Sequence, residues 1–150
     1  MISTMRELRN LIAENCDFTQ PLRVVAHDVG KKASKHSAVR ADEFFPAAMN
    51  VTPGKYSEKS VIEIAHDPEQ KVLMPEAAIE AIDELLYEEP RALVGWVYFF
   101  YFPFEVTTLF GRKKHAQYCM LDTSNVKDIY LGDEPNTLVI EAEFGLGTFD

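Results

Sequence analysis

Between Ala92 and Phe110 the chain reads ALVGWVYFFYFPFEVTTLF, and Glu105 is the only charge in it. This run holds eight of the seventeen aromatic residues and the only tryptophan. Such a segment has to be buried, so it dictates what the rest of the chain must cover. Its uncharged part, Ala92 to Phe104, is thirteen residues long, whereas a membrane-spanning helix needs about 20. Glycine, proline and clustered aromatic and β-branched residues favour a strand. Alternation places Leu93, Val97, Phe99 and Tyr101 on one side and Val94, Trp96, Tyr98, Phe100 and Phe102 on the other. Both sides are apolar, which predicts a strand inside a sheet and covered on both faces. A helix layer, a second sheet or another copy of the chain would serve as cover. Pro103 has no N–H to give a ladder and predicts a break or bulge.

Around that strand the pattern is α+β. Thr4-Met5-Arg6-Glu7 is a capping box, in which hydroxyl and carboxylate each satisfy a free backbone N–H. Met5, Leu8, Leu11 and Ile12 then share one helical face, predicting a helix from Met5 to Asn15. Leu22 to Ala26 predicts a short strand. A short helix is expected between Ser37 and Phe45, ended by Pro46, and Thr52-Pro53-Gly54 is a turn. Val61 to Ala65 and Lys71 to Met74 read as two strands joined by a turn through Pro68. Pro75 opens a second helix, where its missing N–H is harmless. Ala78, Ile79, Ile82, Leu85 and Leu86 form the buried stripe of that helix, and Pro90 stops it. From Ala92 the chain predicts a run of strands: Phe104 to Phe110, His115 to Leu121 after a polar turn, Val126 to Leu131, and Thr137 to Phe144. In the last of these Leu138, Ile140, Ala142 and Phe144 point inward. Short connections favour an antiparallel meander. The expectation is a single α+β domain over residues 1–150. A mainly antiparallel sheet centred on residues 92–102 would carry two or three helices packed against it.

Totals narrow the function. At 150 residues, 47% of them hydrophobic, the chain can bury a core without disulfides or a structural metal. Cys16 and Cys119 form no framework and no CxxC pair, which fits a reducing compartment. The first sixteen residues lack the apolar stretch of a secretory signal. A cytoplasmic protein is expected. The net charge of −9 is uneven. Residues 1–60 carry nine Lys and Arg against seven Asp and Glu, giving +2, while residues 61–150 carry six against seventeen, giving −11. An acidic surface repels phosphate backbones and lipid headgroups, and it suits solubility or a basic protein partner.

The residues carry no catalytic signature. Cys119 and His115 are four residues apart on one strand, more than about 13 Å along it, and so out of hydrogen-bond reach. The serines lack the GxSxG elbow. Glu80, Glu84 and Glu88 recur every fourth residue and share a helix face, where like charges weaken an isolated helix slightly. Solvation accounts for such a face, and so does recognition, because carboxylates steer a basic partner toward a site. The leading reading is an acidic, non-enzymatic protein-binding module without a cofactor. It would inhibit a basic nucleic-acid-handling protein in the manner of immunity, antitoxin or anti-defence proteins. Glu80, Glu84 and Glu88 would be presented to the partner, with Trp96 and Tyr98 as buried anchors, since such residues dominate hot spots. Neither a membrane nor a nucleic acid is a partner in this reading, and a homodimer is compatible with it.

Two other constellations carry alternative readings. Val24-Val25-Ala26-His27-Asp28 resembles Glu63-Ile64-Ala65-His66-Asp67. Were the two strands neighbours, His27, Asp28, His66 and Asp67 would converge as a nitrogen and oxygen ligand set for a metal-dependent hydrolase. His-Asp at a strand end is also ordinary turn chemistry. Lys31, Lys32, Lys35 and Arg40 form a basic segment able to hold a nucleotide or a nucleic-acid backbone. The segment lacks the GxxxxGK[ST] spacing of a phosphate loop and has no interleaved aromatic for base stacking. Arg112 to His115 form a second basic knot at a hairpin tip.

Overall fold

Thr4 opens the first helix, α1 (Met5–Asn15), with a complete capping box: the Glu7 N–H donates to Thr4 Oγ1, and the Thr4 N–H donates to the Glu7 carboxylate. Met5, Leu8 and Ile12 are its buried face. The computed structural model describes residues 2–29, 38–41, 45–55, 57–65, 72–100, 104–107, 113–116 and 124–143. Pro75 begins α2 (Pro75–Glu88), and Ala78, Ile79, Ile82, Leu85 and Leu86 are buried as their spacing predicts. Arg9 Nε of α1 donates to Asp83 Oδ1 of α2 at 2.9 Å across the pair.

The strands are β1 (Arg23–Asp28), β2 (Ala38–Ala41), β3 (Ala48–Thr52), β4 (Lys59–Ala65), β5 (Leu93–Phe100), β6 (Phe104–Thr107), β7 (Lys113–Ala116), β8 (Ser124–Leu131) and β9 (Thr137–Glu143). They make one sheet in the order β3-β4-β5-β8-β9-β1-β2-β6-β7. The sheet is mixed. β4 runs parallel to β5, and β1 runs parallel to β9. The expected meander is therefore only partly present. β3–β4, β6–β7 and β8–β9 are antiparallel hairpins, but β4-α2-β5 is a crossover unit, the route that parallel neighbours require. Two helices are present among the described residues, and α2 contributes to one core with the sheet.

The aromatic run supplies β5, between β4 and β8. Val97 and Phe99 are fully buried in the cluster that also holds Met5, Leu8 and Ile82. Alternation sends Trp96 and Tyr98 to the other face of the sheet, where both are partly buried. A bulge separates the Ser60–Val94 and Val61–Trp96 pairings, leaving Gly95 as the extra residue. A Cβ there would sit 2.5 Å from Lys59 Cβ, so only glycine fits the close strand approach. The start of β5 is tied to α1, because the Met5 N–H donates to Ala92 O and the Val94 N–H donates to Ser3 O.

Two local expectations are corrected. The short helix between Ser37 and Phe45 is not formed over Ala38–Ala41, which is strand β2; its register with β6 sets Arg40 opposite Glu105. Sheet pairing here overrides local propensity. The described part of the Lys71–Met74 expectation, Val72 to Met74, does not pair with β4. Leu73 instead donates its N–H to Pro46 O and accepts from the Leu22 N–H, both at 2.8 Å, so its polar groups are satisfied outside any named strand. The turn through Pro68, the break at Pro103 and the inward position of Phe144 lie outside the described residues.

Candidate protein-binding surface

The buried stripe of α2 fixes what its remaining surface offers. Glu76, Glu80, Asp83, Glu84 and Glu88 are all exposed, and Glu80, Glu84 and Glu88 climb one face a turn at a time. None of these three makes an ion pair with a described residue; the Arg9–Asp83 bridge is the one such pair on α2. The last turn contains no basic residue. The negative end of the helix dipole therefore adds to the carboxylates instead of being offset by a cation. Tyr87 stands on this surface. It follows Glu84 by three residues and Glu80 by seven, and it is 90% exposed. Tyr87 is absent from the residues expected above, Glu80, Glu84 and Glu88. The available signal was its helical phase, which puts it outside the stripe of Ile79, Ile82 and Leu86.

Trp96 and Tyr98 do not belong to this surface. They point away from the side of the sheet on which the helices pack, so a single flat partner cannot touch them and the α2 carboxylates together. Their own face has a mixed character. Val61 is in register with Trp96 and Glu63 with Tyr98. Lys59 Nζ lies 5.9 Å from the Trp96 ring centroid, within cation–π range. Farther along, His27, Glu141 and Asp128 are in register across β1, β9 and β8. The Tyr130 hydroxyl is held above its ordinary pKa, first by desolvation and then by the charge of Glu141 and a hydrogen bond to it, with Asp128 adding repulsion.

The two Ala-His-Asp copies are on strands that are not neighbours. β5, β8 and β9 stand between β4 and β1. Four strand spacings separate the two, about 19 Å at roughly 4.8 Å each. The condition for convergence of His27 and Asp28 with His66 and Asp67 is therefore not met by adjacency. His66 and Asp67 themselves lie outside the described residues. Among the described residues no group of three His, Cys, Asp or Glu is placed to hold a metal.

Of the basic segment, Arg40 is in β2, and Lys31, Lys32 and Lys35 lie outside the described residues. Cys16 caps the C-terminal end of α1, and burial pushes its thiol pKa up, which lowers its reactivity near neutral pH. Cys119 lies outside the described residues. No described helix is long and apolar enough to cross a membrane. Comparison with protein-family models, with curated proteins and with solved structures finds no match to this chain.

Proposed function

We propose that the chain is an acidic, non-enzymatic protein-binding module whose partner is basic, an inhibitor of the immunity, antitoxin or anti-defence kind acting on a nucleic-acid-handling protein. One observation carries the reading: the outward face of α2 combines Glu80, Glu84 and Glu88, unpaired by described residues, with a tyrosine, Tyr87, that is 90% exposed beside them. The fold makes no use of that tyrosine. Exposed aromatic residues ringed by charge are the composition of interface hot spots, and tyrosine buries a large area with little loss of rotamer freedom. The carboxylates would accelerate encounter with a cationic surface. Inhibition would follow from occlusion of the groove that the partner uses for its own polyanionic substrate. The reading includes a cytoplasmic setting, in keeping with two cysteines far apart in the sequence.

The test is capture of partners from the native host's lysate at moderate salt, with the wild-type chain, the E80K/E84K/E88K variant and Y87A run in parallel. A stoichiometric basic protein retained by wild type, released by added salt, lost with the triple variant and weakened with Y87A supports the reading. Retention of the same protein by all three chains would refute the α2 surface as its site. A W96A/Y98A chain that alone loses the partner would move the interface to the opposite side of the sheet.

A further inference from the structure

Tyr87 lies in the last turn of α2, almost wholly exposed, and helix geometry decides what borders its ring. A helical side chain covers the turn N-terminal to its own Cα. One turn back stand Asp83 and Glu84, and Glu80 is two turns back on the same face. These carboxylates are not equivalent. The Asp83 carboxylate accepts from Arg9 Nε at 2.9 Å. Glu80, Glu84 and Glu88 meet no cation among the described residues. The last turn has no basic residue either, so the negative end of the helix dipole adds to their field. An exposed aromatic ring therefore sits beside carboxylates that this chain does not neutralise.

A second copy of the chain does not suit this face, because its own α2 carries the same sign and like charges repel across an interface. A cationic protein surface does suit it, and the ring discriminates between the two cations that such a surface offers. A lysine ammonium is a compact, strongly hydrated point charge. On a face this exposed it keeps its water and gains little from the ring. A guanidinium is planar and more weakly hydrated. Stacked on Tyr87 it gains cation–π attraction. Its five N–H donors stay in the guanidinium plane, where a neighbouring carboxylate such as that of Glu84 takes two of them in parallel. Glu80, Glu84 and Glu88 follow one another at about 6 Å along the helix axis, so arginines at a similar spacing engage them in turn. We infer that Tyr87 makes the α2 face selective for arginine over lysine, with one arginine of the partner stacked on the Tyr87 ring and shared with Glu84. This rests on the protein-binding reading above and adds the residue type that anchors the complex. Arginine is also the residue that recognises phosphate bidentately, which accords with a partner that handles nucleic acid.

The full-length chain, labelled with nitrogen-15, is titrated at low salt with two capped alanine peptides that carry an arginine or a lysine at every fourth residue, and amide shifts are followed by NMR. Shifts centred on Glu80–Glu88 are expected, with the arginine peptide bound about fivefold more tightly, as one exposed cation–π contact provides. Y87F keeps the ring and should keep the preference. Y87A should bring the two peptides within about twofold of each other while the shifts stay on α2. E84Q should weaken the arginine peptide more than the lysine peptide. Spectra unchanged away from α2 verify that each variant is folded. Equal affinities in the wild-type chain, or a preference that survives in Y87A, would overturn the arginine assignment and leave the electrostatic surface standing. If neither peptide moved the α2 amides, the assignment and the α2 surface would both fall.

Discussion

Asn136 is the residue whose loss the structure prices most fully. It sits in the β8–β9 turn at φ 56°, the left-handed region, and is 6% exposed. Its side chain accepts from the Asp17 N–H at 2.8 Å and donates to Asp17 O at 2.7 Å and Gln20 O at 2.9 Å. It thereby clamps the link between α1 and β1 to the turn that sets β8 against β9. Replacement by glycine keeps the backbone angle and removes three hydrogen bonds, each worth about 1 kcal/mol net, so N136G should cost about 2–3 kcal/mol. Replacement by alanine adds about 1–2 kcal/mol for a left-handed backbone with a Cβ, giving roughly 3–5 kcal/mol in all. That is a large part of the 5–15 kcal/mol, roughly, that holds a domain together. Urea unfolding followed by Trp96 fluorescence and by circular dichroism reads both variants. With a slope of about 2 kcal/mol per molar urea, the midpoint should fall by about 1–1.5 M for N136G and about 1.5–2.5 M for N136A. A midpoint for N136G within about 0.3 M of wild type would refute the reasoning, because the clamp would then contribute nothing that water does not replace.

The remaining expectations are tested by the same unfolding assay. F99A opens a hole in the fully buried core and should lose about 3–5 kcal/mol, whereas Y98A, on the partly buried opposite face, should lose clearly less; equal losses would contradict the assignment of faces. S60A deletes an unpartnered buried hydroxyl and should be neutral or up to about 2 kcal/mol more stable, so a marked loss would mean that the hydroxyl is bonded. T4A removes a helix cap and should cost about 1 kcal/mol. Hydrogen bonds from Thr4 and Ser3 hold the Glu7 carboxyl below its ordinary pKa. Its contribution is therefore complete above the ordinary carboxylate range and fades as pH falls through the lowered value, and E7Q should flatten that part of the acid limb. E80K/E84K/E88K should stay within about 1 kcal/mol of wild type, which makes it a fair binding control.

What could be read from the sequence was whatever is encoded in local periodicity. The helix Met5–Asn15 and its capping box, the Pro75 start and buried stripe of α2, and the alternation of Leu138, Ile140 and Ala142 all follow from spacing alone. Pairing partners were not encoded that way. The run Val61-Ile62-Glu63-Ile64-Ala65 specifies a strand but not that it lies parallel to β5. Nothing in Arg23–Asp28 announces that the first strand pairs with the last. The helix expected between Ser37 and Phe45 gives way to a strand over Ala38–Ala41, because four residues carry too little pattern to resist a sheet partner. The acid face of α2 was legible because helical phase is local. The opposition of Trp96 and Tyr98 to that face was not, since it depends on which side of the sheet the helices occupy. Ser60 was invisible for the same reason: its burial arises where the β3–β4 turn meets the α2–β5 connection.

The fold explains α2 from its inner side only. Six buried residues hold the helix in place, and that packing supplies most of the stability of a helix this short. Its outer face works slightly against it, because carboxylates four residues apart repel and none is offset by a cation in the last turn. Alternating signs on that face would have given the same solubility with favourable i,i+4 pairs. Solvation accounts for charge on α2 without requiring charge of one sign, and it does not call for Tyr87 among the carboxylates. Under the proposed reading, an electrostatic surface that meets a cationic partner would account for both. In that case the repulsion that weakens the free helix is relieved when the partner's positive charge arrives, so the complex should lose affinity steeply with added salt while the free chain gains a little stability from the same addition.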